Sequence, residues 1–284
     1  MRTESLAGLA FVLLWSTGYL AAEFALQGSG AFTLAVLRFA GSGAIVGLWL
    51  LAWRRPAAAA FPELRHAAIG GVLLQAGFFG FTYAGMRAGV PPAAAGLIAG
   101  LMPLTTAIGG AVFLGERLRR YTPIGLALGL AGVLFVIGPK LVAPSSLLGY
   151  GFMLLALLSL SFGTLYQKRH TTHLDPRLSL VVQLLASLIV LAPFAIALEG
   201  LHYVPQTRVL LGTAWSILVN SCAGLLLYLW LLRRGAAGRT AGLFYLVPPV
   251  TALLAALLLD AAFGWHELVG LLLASLGVWL GQRE

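Results

Sequence analysis

Few polar side chains in this chain lie far from a loop, and those few decide what chemistry is open to it. Arg38 stands about seven residues into an apolar run that begins near residue 31, roughly 10 Å from its start at 1.5 Å per helical residue. A guanidinium at that depth either grips an anion such as a carboxylate through two parallel N–H groups or reaches back to the interface along its own aliphatic stem. Gln75 and Asn220 sit near the middle of two other runs. Their amides both donate and accept, which suits a zwitterion as well as it suits a bond between helices. Trp15, Tyr19, Phe79, Tyr83, Tyr166, Tyr228 and Tyr245 add aromatic surface. At helical spacing, Gln75, Phe78, Phe79, Thr82 and Tyr83 share one face. So do Phe11, Trp15 and Tyr19, then Ser159, Phe162 and Tyr166, and finally Asn220, Gly224 and Tyr228. Such mixed stripes line a mostly apolar pocket with a few polar groups, or serve simply as core.

Other chemistry is excluded. The sequence holds no Ser-His-Asp set, no phosphate loop and no cluster of metal ligands; its five histidines, His66, His170, His173, His202 and His266, flank apolar runs. Neither enzyme activity nor a cofactor is expected. Cys222, the single cysteine, reads as a small core residue. The middle of the runs carries no Asp, Glu, Lys or His, with Glu23 and Asp260 near run ends. That argues against carboxylate-based proton coupling and against a dedicated antiporter of cationic drugs.

The elements that must hold these residues follow from composition. Hydrophobic residues make up 60% of the chain and charged residues 10%, against about 25% charged in ordinary globular domains. Runs of about twenty apolar residues match a hydrocarbon core about 30 Å thick, and in lipid such runs must be helices. Ten are expected, over 5–24, 31–53, 66–86, 91–114, 121–139, 147–167, 178–198, 209–232, 239–260 and 265–282. The first follows Arg2 but is too long for a signal peptide, so it is taken as a span. The net charge of +9 does not imply nucleic acid, because the basic residues sit in short loops. Fourteen of them (Arg2, Arg54, Arg55, Arg65, Arg117, Arg119, Arg120, Lys168, Arg169, Arg177, Arg233, Arg234, Arg239 and Arg283) fall on one side of a ten-span path, and three (Arg87, Lys140 and Arg208) on the other. The rich side is expected to be cytoplasmic, with both termini there, in a multi-pass protein of the bacterial inner membrane.

The chain also repeats. A shift of about 145 residues brings Trp15-Ser16-Thr17-Gly18 onto Leu160-Ser161-Phe162-Gly163, Gln75 onto Asn220, and Tyr83 onto Tyr228. Pro103 and Thr105 fall on Pro249 and Thr251, and Gly125 and Gly132-Val133 on Gly270 and Gly277-Val278. The expected units are residues 1–141 and 142–284. Five spans per unit is an odd number, so the second must insert upside down. Inverted repeats with a substrate site near the midplane are a recurrent design of secondary transporters. Pro103, Pro248 and Pro249 fall inside spans four and nine and are expected to bend them, as gates or as static kinks, with Thr105, Thr106 and Thr251 meeting the freed carbonyls.

Several of these segments resemble a known family. Trp15-Ser16-Thr17-Gly18-Tyr19, Leu37-Arg38-Phe39, Gly100-Leu101-Met102-Pro103-Leu104 and Phe113-Leu114-Gly115-Glu116-Arg117-Leu118 are similar to motifs of the EamA-type drug/metabolite transporters. The second half repeats the last two as Leu246-Val247-Pro248-Pro249-Val250 and Trp265-His266-Glu267-Leu268. The resemblance covers nearly the whole chain. It implies a ten-helix exporter of small metabolites, most similar to exporters of aromatic or neutral amino acids. The chain departs from internal symmetry where Gln183 takes the place of Arg38 and where the glutamate after span nine is displaced, so the halves are not expected to be equivalent. The expectation is an all-α carrier of ten helices in a 5+5 inverted repeat, monomeric in the lipid, working by alternating access on a small molecule. An exporter of lipophilic drugs or nucleoside-like metabolites, or a channel-like facilitator, remains the alternative.

Overall fold

The structure, a computed structural model, describes residues 2–53, 60–117, 120–137, 144–171, 174–224, 226–227, 246–259 and 264–281. Its helices are α1 (Arg2–Leu26), α2 (Ala31–Trp53), α3 (Phe61–Gly71), α4 (Phe78–Arg87), α5 (Pro92–Ala99), α6 (Met102–Leu114) and α7 (Thr122–Ile137). They continue as α8 (Pro144–His170), α9 (Pro176–Glu199), α10 (Thr207–Trp215), α11 (Val247–Leu258) and α12 (Trp265–Gly281). Two π-helical segments, Val72–Gly77 and Ser216–Gly224, follow α3 and α10 without a break in the chain path. Among the described residues, six stretches are long and apolar enough to cross a membrane: Leu6–Leu26, Ala31–Ala52, Phe61–Arg87, Pro92–Leu114, Leu147–His170 and Pro176–Glu199. Shorter apolar helices cover Thr122–Val136, Val247–Leu258 and Trp265–Gly277. The protein is an all-helical, multi-pass membrane protein. Leucines such as Leu48, Leu51, Leu198 and Leu257 project from its outside, as lipid-facing positions should.

Packing pairs the two ends of the sequence. α1 lies against α10 and its π-helical continuation, and also against α11. α8 lies against α3, α4 and the π segment between them, and against α5 and α6. α2 packs on α9, and α7 on α12 in the most extensive pairing of the described chain. Glycine makes that last contact. A Cβ built on Gly270 would lie 2.6 Å from the Gly132 carbonyl oxygen, and one on Gly277 2.5 Å from that of Gly125. The two backbones therefore touch, the usual arrangement where small residues bring membrane helices together.

At one end of the bundle the loops before α2 and α10 are stitched together. Ser29 and Tyr203 form an isolated antiparallel bridge, flanked by bonds from Val204 N–H to the Gly28 carbonyl (2.7 Å) and from Gly30 N–H to the His202 carbonyl (3.1 Å). Glu199, the last residue of α9, caps α2. Its carboxylate accepts from the N–H groups of Phe32 (3.0 Å) and Thr33 (2.7 Å) and from the Thr33 hydroxyl (2.8 Å). Those donors have no partner within their own helix, and a carboxylate is favoured at a helix N-terminus.

The prolines act differently from the bends expected of them. Span four is two helices: α5 stops at Ala99, and Pro103 occupies the first turn of α6. Pro248 and Pro249 likewise sit in the first turn of α11. A proline in a first turn lacks only an N–H that would go unpaired anyway. The two starts meet, because a Cβ on Gly100 would stand 2.5 Å from Cγ of Pro248. Among the threonines expected to meet freed carbonyls, only Thr105 does so, donating toward Leu101 and Met102 (3.3 and 3.0 Å). Thr106 and Thr251 carry buried hydroxyls without a partner.

Candidate functional site

Arg38 is 2% exposed, so it does not reach back to the interface. Its Nε donates to Ser221 Oγ (2.6 Å) and its Nη1 to the Tyr83 hydroxyl (2.6 Å), while its guanidinium carbon lies 3.7 Å from the centre of the Phe79 ring. Every one of these partners is neutral, and no described carboxylate pairs with the charge. The hydrogen bonds hold the guanidinium in place but leave its charge unmatched.

Around it lie Trp15, Gly18, Tyr19, Phe78, Phe79, Thr82, Tyr83 and Asn220, which enclose a cavity of about 20 Å³ with Arg38, room for roughly one water. Asn220 is held by its amide nitrogen, which donates to the Leu14 carbonyl. That bond fixes the side chain and leaves Oδ1 buried without a donor. The Thr82 hydroxyl is also buried and unpartnered. One cavity thus holds a positive donor group, an orphaned acceptor and a hydroxyl, between aromatic walls. These are the complements of a carboxylate, an ammonium and an apolar side chain.

Local structure explains who is present. Gly18 lets α1 approach the π segment, since a Cβ there would come within 3.1 Å of Nδ2 of Asn220. The stripe on span three divides. Phe78, Phe79, Thr82 and Tyr83 line the cavity, while Gln75 is buried elsewhere, with its Oε1 unpartnered. The reason is the π segment Val72–Gly77, which contains Gln75. Wider turns there shift Gln75 around the axis relative to an unbroken α-helical stripe. Tyr166 is not at this cavity either. It lies near the C-terminal end of α8, 2.7 Å from Nδ1 of His66 and stacked on His170 at 4.4 Å between ring centres. Phe162 is 42% exposed and pairs edge-on with Phe113 at 5.5 Å. Tyr228 and Tyr245 lie outside the described residues. Pro103, Pro248 and Pro249 stand at the paired helix starts described above rather than in the cavity wall.

Sequence reasoning missed Ser221, the residue that orients Arg38. The available signal was the guanidinium itself, which at that depth requires a polar neighbour on a facing helix. The lining comes from α1, α2, α4 and the second π segment, each of which carries a candidate named from the sequence.

The two ends of the bundle differ. Near the C-terminal end of α8, Lys168 pairs with Glu116 (2.7 Å), His66, Tyr166 and His170 stack, and the hydroxyls of Thr105 and Ser161 touch. Near the C-terminal end of α1, by contrast, a cleft of about 960 Å³ lies among α1, the α4–α5 turn, α10 and the end of α11.

Comparison with known proteins fits this arrangement. The model of the EamA-like transporter family matches residues 2–138 and again residues 147–281. The chain is 27% identical over 292 residues to a probable amino-acid metabolite efflux pump of Salmonella typhimurium, covering 98% of this chain and 94% of that one. It is 35% identical over 150 residues to the aromatic amino acid exporter YddG of Ancylobacter novellus, covering 49% of this chain and 47% of that one. A protein of solved crystal structure superposes with a TM-score of 0.71 at 25% identity, over 99% of this chain and 97% of that chain. With both halves matched in turn by one family model, the chain belongs to the EamA-like transporter family.

Proposed function

We propose that this protein exports neutral or aromatic amino acids by alternating access around the Arg38 cavity. The observation that carries the proposal is the unmatched charge of Arg38, set beside the free Oδ1 of Asn220 and the rings of Trp15, Tyr19 and Phe79. The guanidinium takes the substrate carboxylate, Asn220 takes the ammonium, and the rings take the side chain. The names of the efflux pump and of the exporter from Ancylobacter novellus agree with that cargo.

The carrier is ten spans in two inverted units, 1–141 and 142–284, with both termini in the cytoplasm. Several paired observations support this. The family model matches twice. The π segments Val72–Gly77 and Ser216–Gly224 stand at positions related by the internal repeat. Ser16 of α1 donates to the Val247 carbonyl at the start of α11 (3.3 Å), and its counterpart Ser161 of α8 meets Thr105 near the start of α6. In this orientation the cleft opens to the outside and the Glu116–Lys168 end is sealed. A cavity of about 20 Å³ is too small for an amino acid, so the central site widens during the cycle.

The test is counterflow of radiolabelled amino acids into liposomes containing the purified protein. Saturable counterflow of aromatic or neutral amino acids is expected. Flux that is fast and unsaturable identifies a channel instead, and flux of lipophilic drugs without amino acids identifies a drug exporter.

A further inference from the structure

The 960 Å³ cleft is a site in its own right. Its volume falls within the range of ordinary small-ligand pockets, and it lies a turn or two along α1 from the Arg38 cavity, bordered by Thr17, Leu20, Ala21, Glu23, Phe24 and Gln27 of that helix. Two charged groups of opposite sign face it from different helices. Glu23 is half-buried and makes no hydrogen bond or ion pair among the described residues. Arg208, in the first turn of α10, has its guanidinium 6.0 Å from the centre of the Phe24 ring, and Phe24 adjoins Glu23 in the chain. The side chains of Phe24, Leu211 and Trp215 provide apolar surface between them, with Trp215 held by a 3.0 Å bond from its indole N–H to Thr17. A half-buried carboxylate left without a partner favours a cation. The nearby guanidinium favours a carboxylate.

We infer that this cleft is a second amino-acid subsite, in which Glu23 receives the ammonium, Arg208 the carboxylate, and Phe24 and Trp215 the side chain. The inference rests on the reading of the protein as an amino-acid exporter. It adds that substrate leaving the Arg38 cavity pauses in a vestibule that recognises both of its charges. This explains how a small central cavity coexists with a larger cleft several residues away: of these two spaces, the vestibule is the one with room for cargo.

The experiment is equilibrium binding of tritiated L-phenylalanine to purified protein in nanodiscs, with melting temperature as the folding control. In the Arg38→Gln protein a saturable component should persist. That component should weaken at least about tenfold, equivalent to about 1.4 kcal/mol, on adding Glu23→Gln or Arg208→Gln. N-acetylphenylalanine and phenylalaninamide should compete for it poorly in Arg38→Gln. They should compete almost as well as phenylalanine where Glu23 or Arg208, respectively, is also replaced. The inference is overturned if Arg38→Gln abolishes all binding, or if neither added substitution alters the residual component. It is equally overturned if that component is displaced by a long-chain detergent but not by free amino acid, which would make the cleft a lipid groove. Failure of the central-site reading shows separately, as an unchanged KM of Arg38→Gln in counterflow. Absence of phenylalanine binding in the unmodified protein rejects both.

Discussion

Replacing Arg38 by glutamine separates a structural arginine from a binding one. The side chain makes two hydrogen bonds, to Ser221 and Tyr83, and lies over Phe79. Charged hydrogen bonds contribute about 1.5–3 kcal/mol each, and a desolvated cation–π contact about 2 kcal/mol. Against these stands the cost of keeping the charge buried at 2% exposure, several kcal/mol for desolvating an ion without a counter-charge. The sides nearly cancel, and the glutamine amide can retain one bond to Tyr83 or Ser221. The melting temperature of Arg38→Gln should therefore move by only a few degrees, in either direction. Transport should respond far more. Loss of a charge-assisted bond to a substrate carboxylate, about 1.5–3 kcal/mol, raises KM about 10- to 150-fold.

The assay is concentration-dependent counterflow in liposomes, with the amino acid and its carboxamide compared side by side. The carboxamide removes the substrate's negative charge and keeps its shape. The unmodified protein should prefer the acid, and Arg38→Gln should lose most of that preference. A KM unchanged from the unmodified protein refutes the reasoning. So does a fall in transport that merely follows a fall in folded protein, because then the guanidinium serves the fold alone.

Other outcomes follow from the same geometry. Asn220→Ala removes both the bond to Leu14 and the free Oδ1, and counterflow should fall at least tenfold with expression retained; full activity removes Asn220 from the site. Gly18→Ala places a methyl group 3.1 Å from Nδ2 of Asn220, which should displace the amide by a few tenths of an ångström and raise KM several-fold, whereas an unaltered KM means that its position is not critical. Glu199→Ala strips α2 of the carboxylate that accepts three hydrogen bonds, a loss of about 1.5–3 kcal/mol. At about 2–4 °C per kcal/mol for a chain of this size, the melting temperature should drop by roughly 3–12 °C, and no drop would show that water replaces the cap.

The membrane class, six of the apolar spans and the motifs of the family were legible because each depends on composition or on period, which lipid enforces strictly. Arg38, Tyr83, Phe79, Trp15, Tyr19 and Asn220 were legible as candidates because polar and aromatic groups are rare in these spans, and the structure gathers all six around one cavity. Gln75 shows where that reasoning stops. Its place in the stripe assumed an unbroken α-helix, and nothing in Val72-Leu73-Leu74-Gln75-Ala76-Gly77 announces a π segment. Wider turns of this kind are set by packing against other helices, here including α8 and α9, not by local preference. Tyr166 fails for a different reason. Its stripe is real, but the face it marks meets His66 and His170 at the far end of α8 instead of the centre.

The two stretches matched by one family model do not carry the same chemistry. Equivalent backbone features recur: a π segment in spans three and eight, a helix start at Pro103 and at Pro248, a serine of the first helix of each half reaching the facing span. Chemistry does not recur. The position of Arg38 carries Gln183 in the other half, and Gln183 spends its amide on Ser179 of its own helix (2.9 Å). Tyr166 and Lys168, which join the contacts at one end, correspond to Ala21 and Glu23 at the other, where the cleft lies. Alanine is the smaller side chain, and Glu23 has no partner among the described residues to match the Lys168–Glu116 pair. The two ends differ in what lines them: an ion pair and stacked rings at one, a cleft at the other. Ala21→Tyr, which adds a ring to a residue bordering the cleft, is expected to disfavour this conformation and to reduce accessibility of a cysteine placed at Gln27 to an aqueous thiol reagent. Undiminished labelling would mean that the cleft is held open by something other than the size of residue 21.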